Sequence, residues 1–107
     1  MPMRGEKRQW VERRFPRKLI RTDISYQYRN EKLNRTYAGS GRTINLSLNG
    51  ALIRIENYLP PRSDIDLYIT TKDGKQVTTL SRVVHCHRVA FNVYEVGVQF
   101  LKVFKSD

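Results

Sequence analysis

Two short stretches of this chain carry residues whose types and spacing suit a phosphate-bearing ligand. The first is Arg13-Arg14-Phe15-Pro16-Arg17. A guanidinium makes two parallel hydrogen bonds, either to phosphate oxygens or to O6 and N7 of guanine, and its flat face stacks on a purine. Lysine offers neither the planar fork nor the stacking. Arg13, Arg14 and Arg17 can together grip phosphate, base edge and base face, with Pro16 restricting the backbone between them. The second stretch is Asn45-Leu46-Ser47-Leu48-Asn49-Gly50. Asn45 and Ser47 are two apart, so on a strand they share a face. Asn45 can donate to and accept from a base edge, Ser47 offers a hydroxyl, and Gly50 allows a turn and clears space beside a ligand. Leu46 and Leu48 then point the other way, into the core. The bland alternatives are a solvated basic linker and an ordinary polar turn. Each explains one stretch and says nothing of the other.

His85-Cys86-His87 invites a metal reading. On a strand the two histidines share a face and Cys86 points away. A structural zinc site wants four ligands, and no second Cys/His cluster exists. Cys86 reads as a core thiol and the histidines as surface or ligand-facing groups, with no metal and no cofactor. As the only cysteine, Cys86 cannot form an intrachain disulfide. No nucleophile–base arrangement, paired carboxylates in a recognisable context or phosphate-cradling glycine loop appears, so a binding protein rather than an enzyme is expected.

The elements that must hold these residues are strands. Ile20, Thr22, Ile24, Tyr26 and Tyr28 alternate with polar residues, giving a half-buried strand. After a polar turn at 30–34, a second strand runs from about Tyr37 to Leu46, with Gly39 and Gly41 suggesting a bulge or bend. Asn49-Gly50 signals a tight turn, since both residues tolerate positive φ. Ala51, Ile53 and Ile55 alternate with polar neighbours until Pro60-Pro61. Ile65, Leu67 and Ile69 form the next strand, Asp73-Gly74 a second hairpin turn, and residues 76–87 a β-branched extended run. Residues 90–92 turn the chain into Tyr94, Val96, Val98 and Phe100, with Glu95, Gly97 and Gln99 facing outward. The fold class is all-β: a small antiparallel barrel of six or seven strands, which removes exposed edges. Residues 1–12 form a flexible basic segment, 13–104 the barrel domain and 105–107 a tail.

Charge is unevenly spread. Lys and Arg outnumber Asp and Glu by 20 to 10. Residues 1–42 hold 12 basic and 4 acidic residues, and residues 43–107 hold 8 and 6. A basic arm on a nearly neutral body suits an anionic partner: nucleotide phosphates, nucleic acid or acidic lipid. The first residues are charged and lack the apolar stretch of a signal peptide, and no apolar run approaches membrane-spanning length. A cytoplasmic, soluble protein without membrane insertion is expected.

The Arg-x-x-x-Arg pair Arg13/Arg17, followed by the Asn45/Ser47/Gly50 turn, resembles the signature of the PilZ domain family. Glu95-Val96-Gly97-Val98-Gln99-Phe100 is similar to that family's closing strand. The arginine spacing also occurs at Arg4/Arg8 and Arg17/Arg21, but Asn45/Ser47/Gly50 is the second motif's single match. The resemblance covers roughly residues 8–104. It implies a receptor for cyclic dimeric GMP that uses Arg13, Arg14, Arg17, Asn45, Ser47 and Gly50. In the family a later side chain often packs on the ligand, and His85 stands nearest that position. Glu12 stands where members often have a further arginine and can pair with Arg13 or Arg14, which leaves open whether one ligand or a stacked pair binds. Such a receptor would signal by contacting a protein partner in motility, adhesion and biofilm formation, exopolysaccharide production or virulence. Two other functions fit the residues. A basic barrel could bind single-stranded nucleic acid, with Tyr26, Tyr28, Tyr37 and Phe91 as stacking platforms. A PilZ-like adaptor could bind proteins alone.

Overall fold

The computed structural model describes residues 22–71 and 73–105. Arg13, Arg14, Arg17 and Glu12 therefore lie outside the described residues. Six strands follow in chain order: β1 (Asp23–Asn30), β2 (Arg35–Leu46), β3 (Gly50–Ile55), β4 (Asp64–Thr70), β5 (Gln76–Ala90) and β6 (Val93–Lys105). All neighbours pair antiparallel and close into a barrel in the order β1-β2-β3-β6-β5-β4, as the strand periodicity predicts. Closure leaves one inner face to fill, and alternate residues fill it. Ile24 and Tyr26, Ile53 and Ile55, Ile65, Leu67 and Ile69, and Val96 and Val98 are all buried. Burying each such side chain stabilises by roughly 1.5–3 kcal/mol before the entropy of ordering it is counted. Three polar side chains are buried as well. Thr79 and Ser81 share a 2.7 Å hydrogen bond, and Thr43 Oγ1 accepts from the Thr22 amide at 3.0 Å. Leu59, from the β3–β4 connection, is also buried against this core.

Turn chemistry follows the sequence in three places and departs from it in a fourth. Asn34 (φ 52°), Gly74 (φ 83°) and Asn92 (φ 56°) take the left-handed conformation that their hairpins need. Asn49 and Gly50 do not. The β2–β3 turn is closed instead by the Ser47 amide donating to Gly50 O at 2.9 Å and by Ser47 Oγ donating to Asn49 Oδ1 at 2.8 Å. Glycine stands at 50 because a Cβ there would collide with the Val98 carbonyl of β6. The expected bulge at Gly39 or Gly41 is also displaced. The β2–β3 register shifts between Thr43 and Asn45, whereas Gly39 leaves room for the Tyr26 ring, whose hydroxyl would lie 2.8 Å from a Cβ. Leu48 corrects a third expectation. It sits in the turn beyond the end of β2 and is 78% exposed, while Leu46 does pack against the core.

Candidate ligand-binding cleft

Two bulges build the site. On β2, Thr43 faces inward opposite Ile53, Ile44 is the extra residue, and Asn45 pairs with Leu52 on the outer face. On β5, Val83 faces inward opposite Val98, Val84 is the extra residue, and His85 pairs with Gly97 on the outer face. Strict alternation would have sent both Asn45 and His85 into the core; each bulge turns one of them out. Leu52 of β3 and Gly97 of β6 are themselves partners. Asn45, Leu52, Gly97 and His85 therefore form one row across four neighbouring strands.

That row is the floor of an open cleft of about 530 Å³, which Ser47, Asn49 and Gly50 also line. The volume is ample for a nucleotide-sized ligand. Asn45, Ser47, Gly50 and His85, spread over 40 positions of sequence, thus come together on one surface. His85 and His87 stack with ring centroids 5.6 Å apart, and Cys86 points away from them toward the core. Burial pushes the Cys86 thiol up from its ordinary value, opposed by a hydrogen bond from the Leu59 amide at 3.5 Å. No group of three or more metal-ligating side chains occurs among the described residues.

The next row of the same surface carries charge. Arg42 pairs in register with Arg54, Arg54 with Glu95, and Glu95 with His87. Arg54 donates twice to Glu95 Oε2, from Nη2 at 3.0 Å and Nε at 3.2 Å. Glu95 lines the cleft beside Gly97. Sequence reasoning placed Glu95 and Gly97 outward but gave neither a part in the site. A glycine within a strand does signal close approach of another group, and here the group is the His85 imidazole. A smaller hollow of about 200 Å³ is lined by Arg29, Asp64 and Asp66 among others. Two carboxylates make it a poor seat for phosphate.

The aromatic platforms needed for single-stranded nucleic acid are largely committed elsewhere. Tyr26 is buried, and Tyr28 and Tyr37 stack on each other at 6.1 Å. Phe91 is exposed at the β5–β6 hairpin, under the Arg88 guanidinium at 5.7 Å.

The fold is a small closed six-stranded antiparallel barrel with an open cleft of mixed polar and apolar lining on its outer wall. The PilZ domain model matches residues 12–106, and the chain belongs to the PilZ domain family. PilZ domains are receptor and adaptor domains of cyclic dimeric GMP signalling, not enzymes. No curated protein matches the chain in sequence. Among solved structures, the Bacillus subtilis inhibitor of motility (MotI/DgrA) is similar, with a TM-score of 0.60 and 13% identity over 80% of this chain. The chain spans 44% of that protein's length, and the likeness is one of fold. No helix among the described residues is long and apolar enough to cross a membrane.

Proposed function

We propose that this PilZ domain is a cytoplasmic receptor that binds cyclic dimeric GMP in the cleft and relays the signal to a partner protein. The observation that carries this reading is the convergence of Asn45, Ser47, Gly50 and His85 on one outer-surface cleft. Asn45 would bond a guanine edge and Ser47 a phosphate or base, while the exposed His85 ring would stack on guanine. Arg13, Arg14 and Arg17 would supply charge-assisted hydrogen bonds to the phosphates and to O6 and N7. Ligand contact with both the barrel wall and these arginines would remodel the surface beside the barrel. A partner that prefers the remodelled surface would shift the population toward it.

Isothermal titration calorimetry with cyclic dimeric GMP tests this directly, using the wild type, Arg17→Ala and GTP as the control ligand. Saturable heat that the substitution abolishes would support the receptor and give its stoichiometry. No heat from a folded wild type would overturn it, leaving the protein-only adaptor and nucleic-acid readings to compete. The last of these predicts binding that weakens steeply with salt.

A further inference from the structure

We propose that Glu95 is the base-selecting residue of the cleft, reading the Watson–Crick edge of a guanine. This rests on the ligand reading above and names which part of the ligand meets which wall.

Among the described residues, Glu95 is the one carboxylate that lines the cleft. A carboxylate repels phosphate, so in a site for a cyclic dinucleotide it must face hydrogen-bond donors. Its two oxygens are unequally occupied. Oε2 takes both bonds from Arg54, at 3.0 and 3.2 Å. Oε1 has His87 Nε2 at 3.9 Å, beyond hydrogen-bond reach, and accepts no hydrogen bond from the described residues. Arg54 thus fixes the carboxylate and offsets its charge, while no other described residue donates a hydrogen bond to Oε1 or to the remaining lone pair of Oε2.

Guanine presents two adjacent donors on its Watson–Crick edge, N1–H and the N2 amine, which match a carboxylate. Adenine presents an acceptor at N1, which a carboxylate opposes, and only one amine. The position suits this role. Glu95 lies two residues before Gly97 on β6, on the same outer face, next to the floor row that His85 and Asn45 flank. A guanine stacked on the His85 ring would have its edge beside β6. The Ser47 and Gly50 end of the cleft carries no acidic side chain among the described residues and is left to the phosphates.

The test is selectivity rather than affinity alone. Binding of cyclic dimeric GMP would be compared with that of its inosine analogue, which lacks only the N2 amines, and of cyclic dimeric AMP. Wild type should bind the inosine analogue at least about tenfold more weakly, the low end of the effect of one hydrogen bond to a charged group. Glu95→Gln should bring that ratio close to one. Glu95→Asp, which keeps the charge opposite Arg54 but withdraws the carboxylate from the cleft, should lower it too. A residue that merely holds Arg54 would change all three affinities together and leave the ratio intact. An unchanged ratio in both variants, or tighter binding of cyclic dimeric GMP by Glu95→Gln, would overturn the assignment while leaving the receptor standing. Wild type that binds none of the three would remove both.

Discussion

The His85 imidazole rests against the Cα of Gly97, filling the space that a side chain at position 97 would need. Gly50 is crowded too, but by the Val98 carbonyl, which is backbone. The two glycines should therefore respond differently to alanine. Gly97→Ala can be relieved by rotation of an exposed ring and should change stability by under about 1 kcal/mol, with His85 displaced into the cleft. Gly50→Ala forces β3 and β6 apart and should cost about 1–3 kcal/mol. Urea denaturation midpoints separate the two, and Gly97→Ala should also weaken cyclic dimeric GMP binding.

Asn45 offers a cleaner probe of the site. Its side chain makes no hydrogen bond to another described residue, so its removal strands no partner among them. Asn45→Ala should leave the thermal midpoint within the range of a surface change, about 0.5 kcal/mol. It should weaken cyclic dimeric GMP binding about tenfold, the effect of one lost hydrogen bond to a base edge. Calorimetry and a thermal melt on the same preparation check both halves.

Tyr26 gives the barrel an alkaline limit. Burial raises its phenol above the ordinary value, opposed by a hydrogen bond from Asn57 Nδ2 at 2.6 Å, with nearby Glu56 raising it further. A raised folded-state value means that the stabilisation is present in full below about pH 10 and fades as pH rises through the higher folded value. Tyr26→Phe should cost about 0.5–1.5 kcal/mol at neutral pH and should reduce the fall in stability above pH 10. Denaturation series at pH 8 and pH 10.5 would show both effects.

Cys86 should be a slow thiol. Its side chain packs against the core, and burial pushes its ionisation up. At pH 8 a disulfide-exchange reagent should modify the folded protein at least about tenfold more slowly than the urea-unfolded chain, because only the thiolate reacts. Equal rates would mean that β5 opens readily at this position.

Leu48 should be dispensable for folding. It is 78% exposed at the tip of the β2–β3 turn. Leu48→Ser should change stability by no more than about 0.5 kcal/mol, whereas Leu46→Ser should cost clearly more because Leu46 packs on the core. Paired urea melts distinguish the two positions.

The sequence by itself determined the strands, the inward faces of β1, β3, β4 and β6, and three of the turns. A period of two needs only local alternation of apolar and polar residues, and Asn34, Gly74 and Asn92 meet a local demand for positive φ. It also marked Asn45, Ser47 and Gly50 as candidates by residue type and spacing, while the family resemblance pointed to His85. Tertiary structure decided where those candidates point. Alternation fails at a bulge, and the bulges at Ile44 and Val84 exist only because β2 and β5 are matched against β3 and β6 in a closed barrel. The same pairing set Gly50 against Val98 and Gly97 against His85, close approaches between strands distant in sequence. It also placed Glu95 between Arg54 and His87 at the edge of the cleft. Register across strands is a long-range property, because each residue's partner depends on how the whole barrel closes, and no local pattern of residues encodes it.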